Sequence, residues 1–164
     1  MAGMRWVLPV VAVCALGAAG CNDRTEPVPI PTPIAPATIV ENYTGTLFVA
    51  GSNLHSFEVK QNGEVHVTLT SIATVPVDAD PAADPPVAAV PSSPVTLPLT
   101  ITIGQPTLTT LGVQCSNLKS ASAPAGPTAQ VAGQALAGTF CVSLADTNGQ
   151  LPRASTYAIT VRHS

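Results

Sequence analysis

The stretch Phe57-Glu58-Val59-Lys60-Gln61-Asn62-Gly63-Glu64-Val65-His66-Val67-Thr68-Leu69 decides the fold. Its apolar residues fall at every second position on both sides of an Asn-Gly pair. A period of two puts Phe57 and Val59, then Val65, Val67 and Leu69, on the inward face of a strand and leaves Glu58, Lys60, His66 and Thr68 to water. Asn-Gly is a strong hairpin signal, because both central residues of the favoured turn take positive φ. The expectation is two strands joined by a tight turn, the second running on through Thr70 to Ile72.

Upstream, Tyr43, Leu47 and Val49 share a parity and the turn cluster Ala50-Gly51-Ser52-Asn53 follows. This predicts a further strand, making three consecutive antiparallel strands between Ile39 and Ile72. Downstream, Thr74 to Pro94 holds Pro76, Pro81, Pro85, Pro86, Pro91 and Pro94. Proline donates no ladder hydrogen bond, so no strand is expected there, and a loop of that length is either disordered or functional. Alternation resumes over Val95 to Ile103, with Pro98 marking an edge or a bulge.

Gly104-Gln105-Pro106 predicts a turn, and Thr107 to Cys115 a strand with Leu111, Val113 and Cys115 of one parity. Ser116 to Pro127 reads as loop and Thr128 to Leu136 as a weak strand. Thr139 to Ala145 turns Phe140, Val142 and Leu144 inward. Asp146-Thr147-Asn148-Gly149 is a turn, and Ser155 to His163 closes the body with Tyr157, Ile159 and Val161 inward. No helical period interrupts the series. About eight short alternating strands make an all-β, antiparallel, jelly-roll-like β-sandwich over residues 39–164.

Ahead of the body stands a leader. Arg5 is a positive start, Trp6 to Ala15 an apolar run, and Leu16-Gly17-Ala18-Ala19-Gly20 leads into Cys21. The run is shorter than the roughly 20 apolar residues a spanning helix needs, which makes residues 1–20 a signal peptide. The segment Leu16 to Cys21 resembles the lipobox of bacterial lipoprotein signals, in which cleavage precedes a cysteine carrying a diacylglyceryl group. That resemblance implies lipidation of Cys21, attachment to a membrane and residence in the bacterial cell envelope. Asn22, where inner-membrane retention commonly has aspartate, points to the outer membrane. The alternative is ordinary secretion, since Ala18-Ala19-Gly20 also meets a small-x-small cleavage rule. Residues 21–38 follow as a tether, with proline at every second position from Pro27 to Pro33 favouring an extended polyproline geometry.

Of the four cysteines, Cys14 lies in the leader and Cys21 at its end, leaving Cys115 and Cys141 for each other. Outside the cytoplasm a disulfide is their default state. A zinc site is the other use for two cysteines, but no nearby cysteine or histidine completes one. Cys141 has the opposite parity to Phe140 and Val142. The bridge therefore lies either on an outer face or at a bulge.

Phe57-x-Val59, Gly63 and Val65-x-Val67-x-Leu69, together with Gly138-Thr139-Phe140-x-Val142 and Tyr157-x-Ile159-x-Val161, resemble the bacterial pre-peptidase C-terminal domain. The resemblance implies a jelly-roll-like sandwich that serves secretion, localisation or substrate binding without catalysis. This chain differs in carrying no enzyme beside it, a Pro/Ala insertion and the cysteine pair. Some relatives bind calcium through clustered carboxylates. Asp78, Asp80 and Asp84 form such a cluster here, but in a proline-rich loop, whereas calcium takes roughly six to eight converging oxygens.

Chemistry-bearing residues are sparse. Ser52 and His55 lie three apart without the Gly-x-Ser-x-Gly elbow of a serine hydrolase. His55 is expected as a satisfied rim residue, His66 as an outward one, and His163 ends the last strand. Glu41, Glu58 and Glu64 sit at outward or terminal positions, where solvation explains them. Past the leader there is no tryptophan, and among Tyr43, Phe48, Phe57, Phe140 and Tyr157 only Tyr43 and Phe48 are free of the core pattern. Those two are the candidates for stacking on a sugar. Past the leader five basic residues stand against nine acidic ones, no footprint for nucleic acid. The expectation is a membrane-anchored, non-catalytic interaction or structural module without cofactor or metal, whose partner is a protein or polysaccharide of the envelope. The alternatives are an exported glycan-binding module and an exported hydrolase with its site in the 74–94 loop.

Overall fold

A computed structural model describes residues 37–110 and 112–164. The leader, Cys21, the tether as far as residue 36, and Leu111 lie outside the described residues. Eight strands follow in order: β1 (Ile39–Leu47), β2 (Ser52–Val59), β3 (Gly63–Thr74), β4 (Leu99–Thr109), β5 (Gly112–Ala123), β6 (Val131–Ala135), β7 (Gly138–Ala145) and β8 (Ser155–His163). They form two antiparallel four-stranded sheets, ordered β1-β8-β3-β6 and β2-β7-β4-β5. The pairs β1·β8, β2·β7, β3·β6 and β4·β5 describe one long hairpin folded back across both sheets. This is the wrapping of an eight-stranded jelly roll.

The core lies between the sheets and is built from the alternating sets. Phe57 and Val59, Val65, Val67 and Leu69, Phe140, Val142 and Leu144, and Tyr157, Ile159 and Val161 are all buried. Each side chain of this size contributes about 1.5–3 kcal/mol on leaving water. Outward positions are rich in Thr and Ser, which suit a half-wet pleated surface.

Four expectations need correction. First, β1, β2 and β3 are consecutive in sequence but not neighbours, because β2 belongs to the opposite sheet. The turn at Gln61-Asn62-Gly63 therefore spans the two layers instead of closing a hairpin. Local turn chemistry reverses the chain in either case. The core face decides, since Phe57 and Val59 on one sheet and Val65 and Val67 on the other belong to one buried cluster. Ahead of this turn, Val49 is exposed just past the end of β1, apart from buried Leu47. Second, the alternation of β3 is broken by a register shift between Leu69 and Ser71, which brings Ile72 inward after two exposed residues.

Third, Gly104-Gln105-Pro106 does not turn. β4 passes through it to Thr109, and the chain reverses before Gly112, whose φ of 108° suits glycine. Gly104 instead marks a register shift in the β4·β5 ladder, where a Cβ would stand 1.5 Å from the Ser116 carbonyl oxygen. Pro106 follows the last β4·β7 pair, Gly104·Cys141, so its missing N–H costs that ladder nothing. At the front of the same segment, Val95 hydrogen-bonds Ile72 of β3 and only Leu99 begins β4. Ser116 to Ala123, read as loop, is the second half of β5. β5 is an edge strand exposed along most of its length, so it lacks the alternating apolar signature.

Fourth, Thr74 to Pro94 is a paired arm. Thr74 bonds Ser93, Val77 and Val90 exchange two hydrogen bonds, and so do Asp80 and Val87. The rungs recur every third residue, with Pro76 and Pro91 between them and Pro81, Pro85 and Pro86 in the tip beyond the last one, so a segment that cannot enter a regular ladder still pairs. Arg153 fastens its base, donating to Thr74 Oγ1 at 3.1 Å and to the Pro91 carbonyl at 3.0 Å.

Candidate functional site

The densest group of titratable side chains closes the seam between β1 and β2, the adjoining edges of the two sheets. Gly45 on β1 makes it possible. A Cβ there would come within 2.6 Å of the Tyr157 hydroxyl, so the missing side chain lets the Tyr157 ring lie across β1 towards β2. On β2 the hydroxyl meets His55 Nε2 at 2.7 Å. The His55 ring stacks on Tyr43, with centroids 4.7 Å apart. Tyr43 donates to Glu41 Oε2 and lies 3.1 Å from the Ser56 carbonyl. Glu41 Oε1 accepts from His163 Nε2 at 2.9 Å, and the His163 ring lies 5.4 Å from that of Phe57.

The electrostatics follow from these contacts. Burial by itself would raise the Glu41 pKa, but the hydrogen bonds from Tyr43 and His163 and the His163 charge together lower it. Burial and the adjacent Glu41 carboxylate both hold the Tyr43 phenol in its protonated form, well above the usual range. Burial lowers the pKa of His55, so its ring is kept neutral. Burial raises that of Tyr157, with a hydrogen bond from Asn53 pulling the other way. The cluster is a clasp whose polar groups hold one another across two sheet edges. Among the described residues no buried side-chain N or O atom lacks a partner.

Several residues singled out in the sequence land elsewhere than expected. His163 is a buried member of the clasp, and Glu41 is its half-buried anchor, not a solvated terminal carboxylate. Tyr43, a candidate sugar platform, is turned into the clasp, while Phe48 stands 67 % exposed in the β1–β2 turn. Ser52 is exposed opposite Ala145, and the His55 ring nitrogen goes to Tyr157. His66 faces outward beside Glu64, as its parity requires. Asp78, Asp80 and Asp84 stand on the exposed arm, and among the described residues no three His, Cys, Asp or Glu side chains gather as metal ligands.

The Cys115–Cys141 disulfide is formed. It joins β5 to β7, which are separated by β4, and does so over the bare Gly104. Two strand spacings amount to roughly 9.5 Å, yet these Cα atoms stand 5.8 Å apart. The β4–β5 hairpin is therefore drawn out of the sheet towards β7 at this point. The bridge lies on the outer side of its sheet and at the bulge together. The sulfur of Cys141 is covered completely.

Sequence reading also passed over Asp146 as one turn residue among four. Its carboxylate is buried and accepts from the backbone N–H of Ala50, Gln150 and Leu151 at 2.8–3.1 Å. Burial by itself would raise its pKa, but these backbone donors outweigh it and lower the value. The group ties the 146–151 loop to the β1–β2 turn, where Ala50 takes a φ of 54°.

Several clefts open on the described surface. An apolar one of about 310 Å³ opens at the β5–β6 seam, with Val65, Ile103 and Phe140 at its floor and Lys119 and Gln134 on its wall. A more open one of about 440 Å³ is lined by Thr44, Thr46, Ser71 and Thr156. Among the described residues no helix is long and apolar enough to cross a membrane. No protein-family model matches the chain, and no curated protein matches it.

Proposed function

We propose that this protein is a bacterial envelope lipoprotein. In this reading acylated Cys21 and the proline tether hold a non-catalytic jelly-roll module outside the cytoplasm. The observation that carries it is the disposition of the cysteines. Cys115 and Cys141 are bonded to each other, and Cys21 directly follows an apolar leader that ends in small residues. A disulfide is at home in an exported protein, and a cysteine at that position is used as a lipid attachment point.

The non-catalytic part of the reading is supported by the fate of the one hydrolase-like pair. Ser52 and His55 are not brought into contact, and the histidine is committed to a clasp between sheets. The resemblance to pre-peptidase C-terminal domains fits the same role, that of an exported module which positions a partner. That partner is proposed to be a protein or polysaccharide of the envelope.

The test is intact mass spectrometry of the protein extracted from the membrane fraction of expressing bacteria. The expected product begins at Cys21 and carries a diacylglyceryl adduct, and blocking the lipoprotein signal peptidase makes a longer acylated precursor accumulate. A bare Cys21 thiol in a soluble product ends the anchor reading.

A further inference from the structure

The two long seams of the sandwich are finished differently. Between β1 and β2 the clasp closes the gap with five polar side chains. Between β5 and β6 Lys119 reaches across. It pairs with Ile103, whose side chain is buried, so it occupies a core-facing position at the edge of its sheet. The ammonium donates to the Ala132 carbonyl on β6, and a Cβ on Gly133 would stand 3.8 Å from Lys119 Cδ.

Beneath this strap lies the apolar cleft of about 310 Å³, with Val65, Ile103 and Phe140 at its floor and Leu118 at its border. Gly133 pairs with inward-facing Val65, so a core-facing position on β6 carries no side chain and the space stays open. Apolar sites of roughly 300–1,000 Å³ with a few polar groups at the rim are the usual form of a small-molecule site. A cavity of ~150 Å³ holds one benzene ring, so this one has room for a chain of about eight carbons.

Among the described residues lining the cleft, Lys119 alone is charged. No described carboxylate lies within 4.0 Å of its ammonium. An ammonium has three donors, and the Ala132 carbonyl takes one of them. Glu64, on the outer face of β3, is held by Gln134 at 3.1 Å and by His66 at 3.1 Å. The mouth of the cleft therefore offers a ligand donors and positive charge, and its floor offers only apolar surface.

We propose that the β5–β6 seam is a binding site for a medium-chain fatty acid, its alkyl chain lying against Val65, Ile103 and Phe140 and its carboxylate accepting from Lys119. The chain leaves water in a slot between two apolar layers, and the carboxylate supplies the acceptor that the ammonium lacks. A cationic amphiphile of the same length is repelled at the mouth. An alcohol buries the same chain without the charge-assisted hydrogen bond. The site is independent of acylation at Cys21 and gives the module a ligand of its own.

Isothermal titration calorimetry with hexanoate, heptanoate and octanoate tests it. The protein is the full chain carrying Cys21→Ser, purified without detergent so that no other acyl chain competes. Each buried methylene should tighten binding about four-fold. Lys119→Gln should weaken octanoate about three- to five-fold, the worth of an exposed ion pair, and leave 1-octanol within about two-fold. Gly133→Leu fills the cleft from β6, where only the Lys119 stem stands near the new side chain, and should abolish octanoate binding. A flat chain-length series overturns the proposal. So does an octanoate affinity that Gly133→Leu leaves unchanged, or that Lys119→Gln lowers no more than that of 1-octanol. Should Gly133→Leu not fold, the chain-length series and Lys119→Gln decide alone.

Discussion

Replacing Cys115 and Cys141 together by alanine should destabilise the body by about 3.5 kcal/mol, from the entropy of closing a loop across a separation of 26 residues. The magnitude is that of a global effect because of what the loop contains. Between the two cysteines the chain completes β5, crosses to the other sheet for β6 and returns for β7. Opening it frees the unfolded chain across two of the three sheet-to-sheet connections that follow β4. Losing the fully covered Cys141 sulfur adds roughly 1 kcal/mol of packing. Urea unfolding followed by far-UV circular dichroism measures the effect. With a slope of about 1.5–2 kcal/mol/M for a body of this size, the midpoint should fall by about 2–3 M, and reductant should move the native protein in the same direction. A midpoint shift below about 0.5 M at unchanged slope would refute the reasoning. It would mean that the bridge merely pins a hairpin whose loss the rest of the sandwich does not feel.

Asp146→Ala should cost about 2–3 kcal/mol, because three backbone donors, the buried one of Leu151 and the part-buried ones of Ala50 and Gln150, lose a charged acceptor, and thermal unfolding at neutral pH measures it. Gly104→Ala puts a methyl group against the Ser116 carbonyl. The hairpin base must then shift, and thiol titration should find free Cys115 and Cys141 in a fraction of the protein. The clasp makes stability fall with acid in two ranges. The His55 pKa is lowered from its ordinary 6.5, so its contribution is complete above that value and declines as pH falls below it. Glu41 is lowered from 4.5, so its contribution is complete above that pH and is lost as pH falls through its folded value. Melting temperatures between pH 8 and pH 3 check both, and His55→Phe should remove the upper decline while leaving the lower one.

Four strands were legible because each has one dry and one wet face. Phe57 and Val59, Val65 to Leu69, Phe140 to Leu144 and Tyr157 to Val161 alternate because the core takes every second residue. The second half of β5, Ser116 to Ala123, reads as loop for the opposite reason. An edge strand wet along most of its length has no period to read, and its Ser and Asn residues pass for a loop. The proline arm was unreadable because its pairing recurs every third residue, outside both regular periods.

From the sequence alone come the all-β class, the inward residues of the inner strands and the pairing of Cys115 with Cys141. These depend on local alternation and on counting thiols. Which sheet each strand joins was settled only in the folded molecule, because a turn such as Gln61-Asn62-Gly63 reverses the chain equally well within a layer or between layers. The clasp of Glu41, Tyr43, His55, Tyr157 and His163 likewise exists only after folding. Its members are up to 122 residues apart in the chain, and no sequence period relates them. They meet because β1 and β2 end up as facing edges and Gly45 leaves the gap through which Tyr157 reaches.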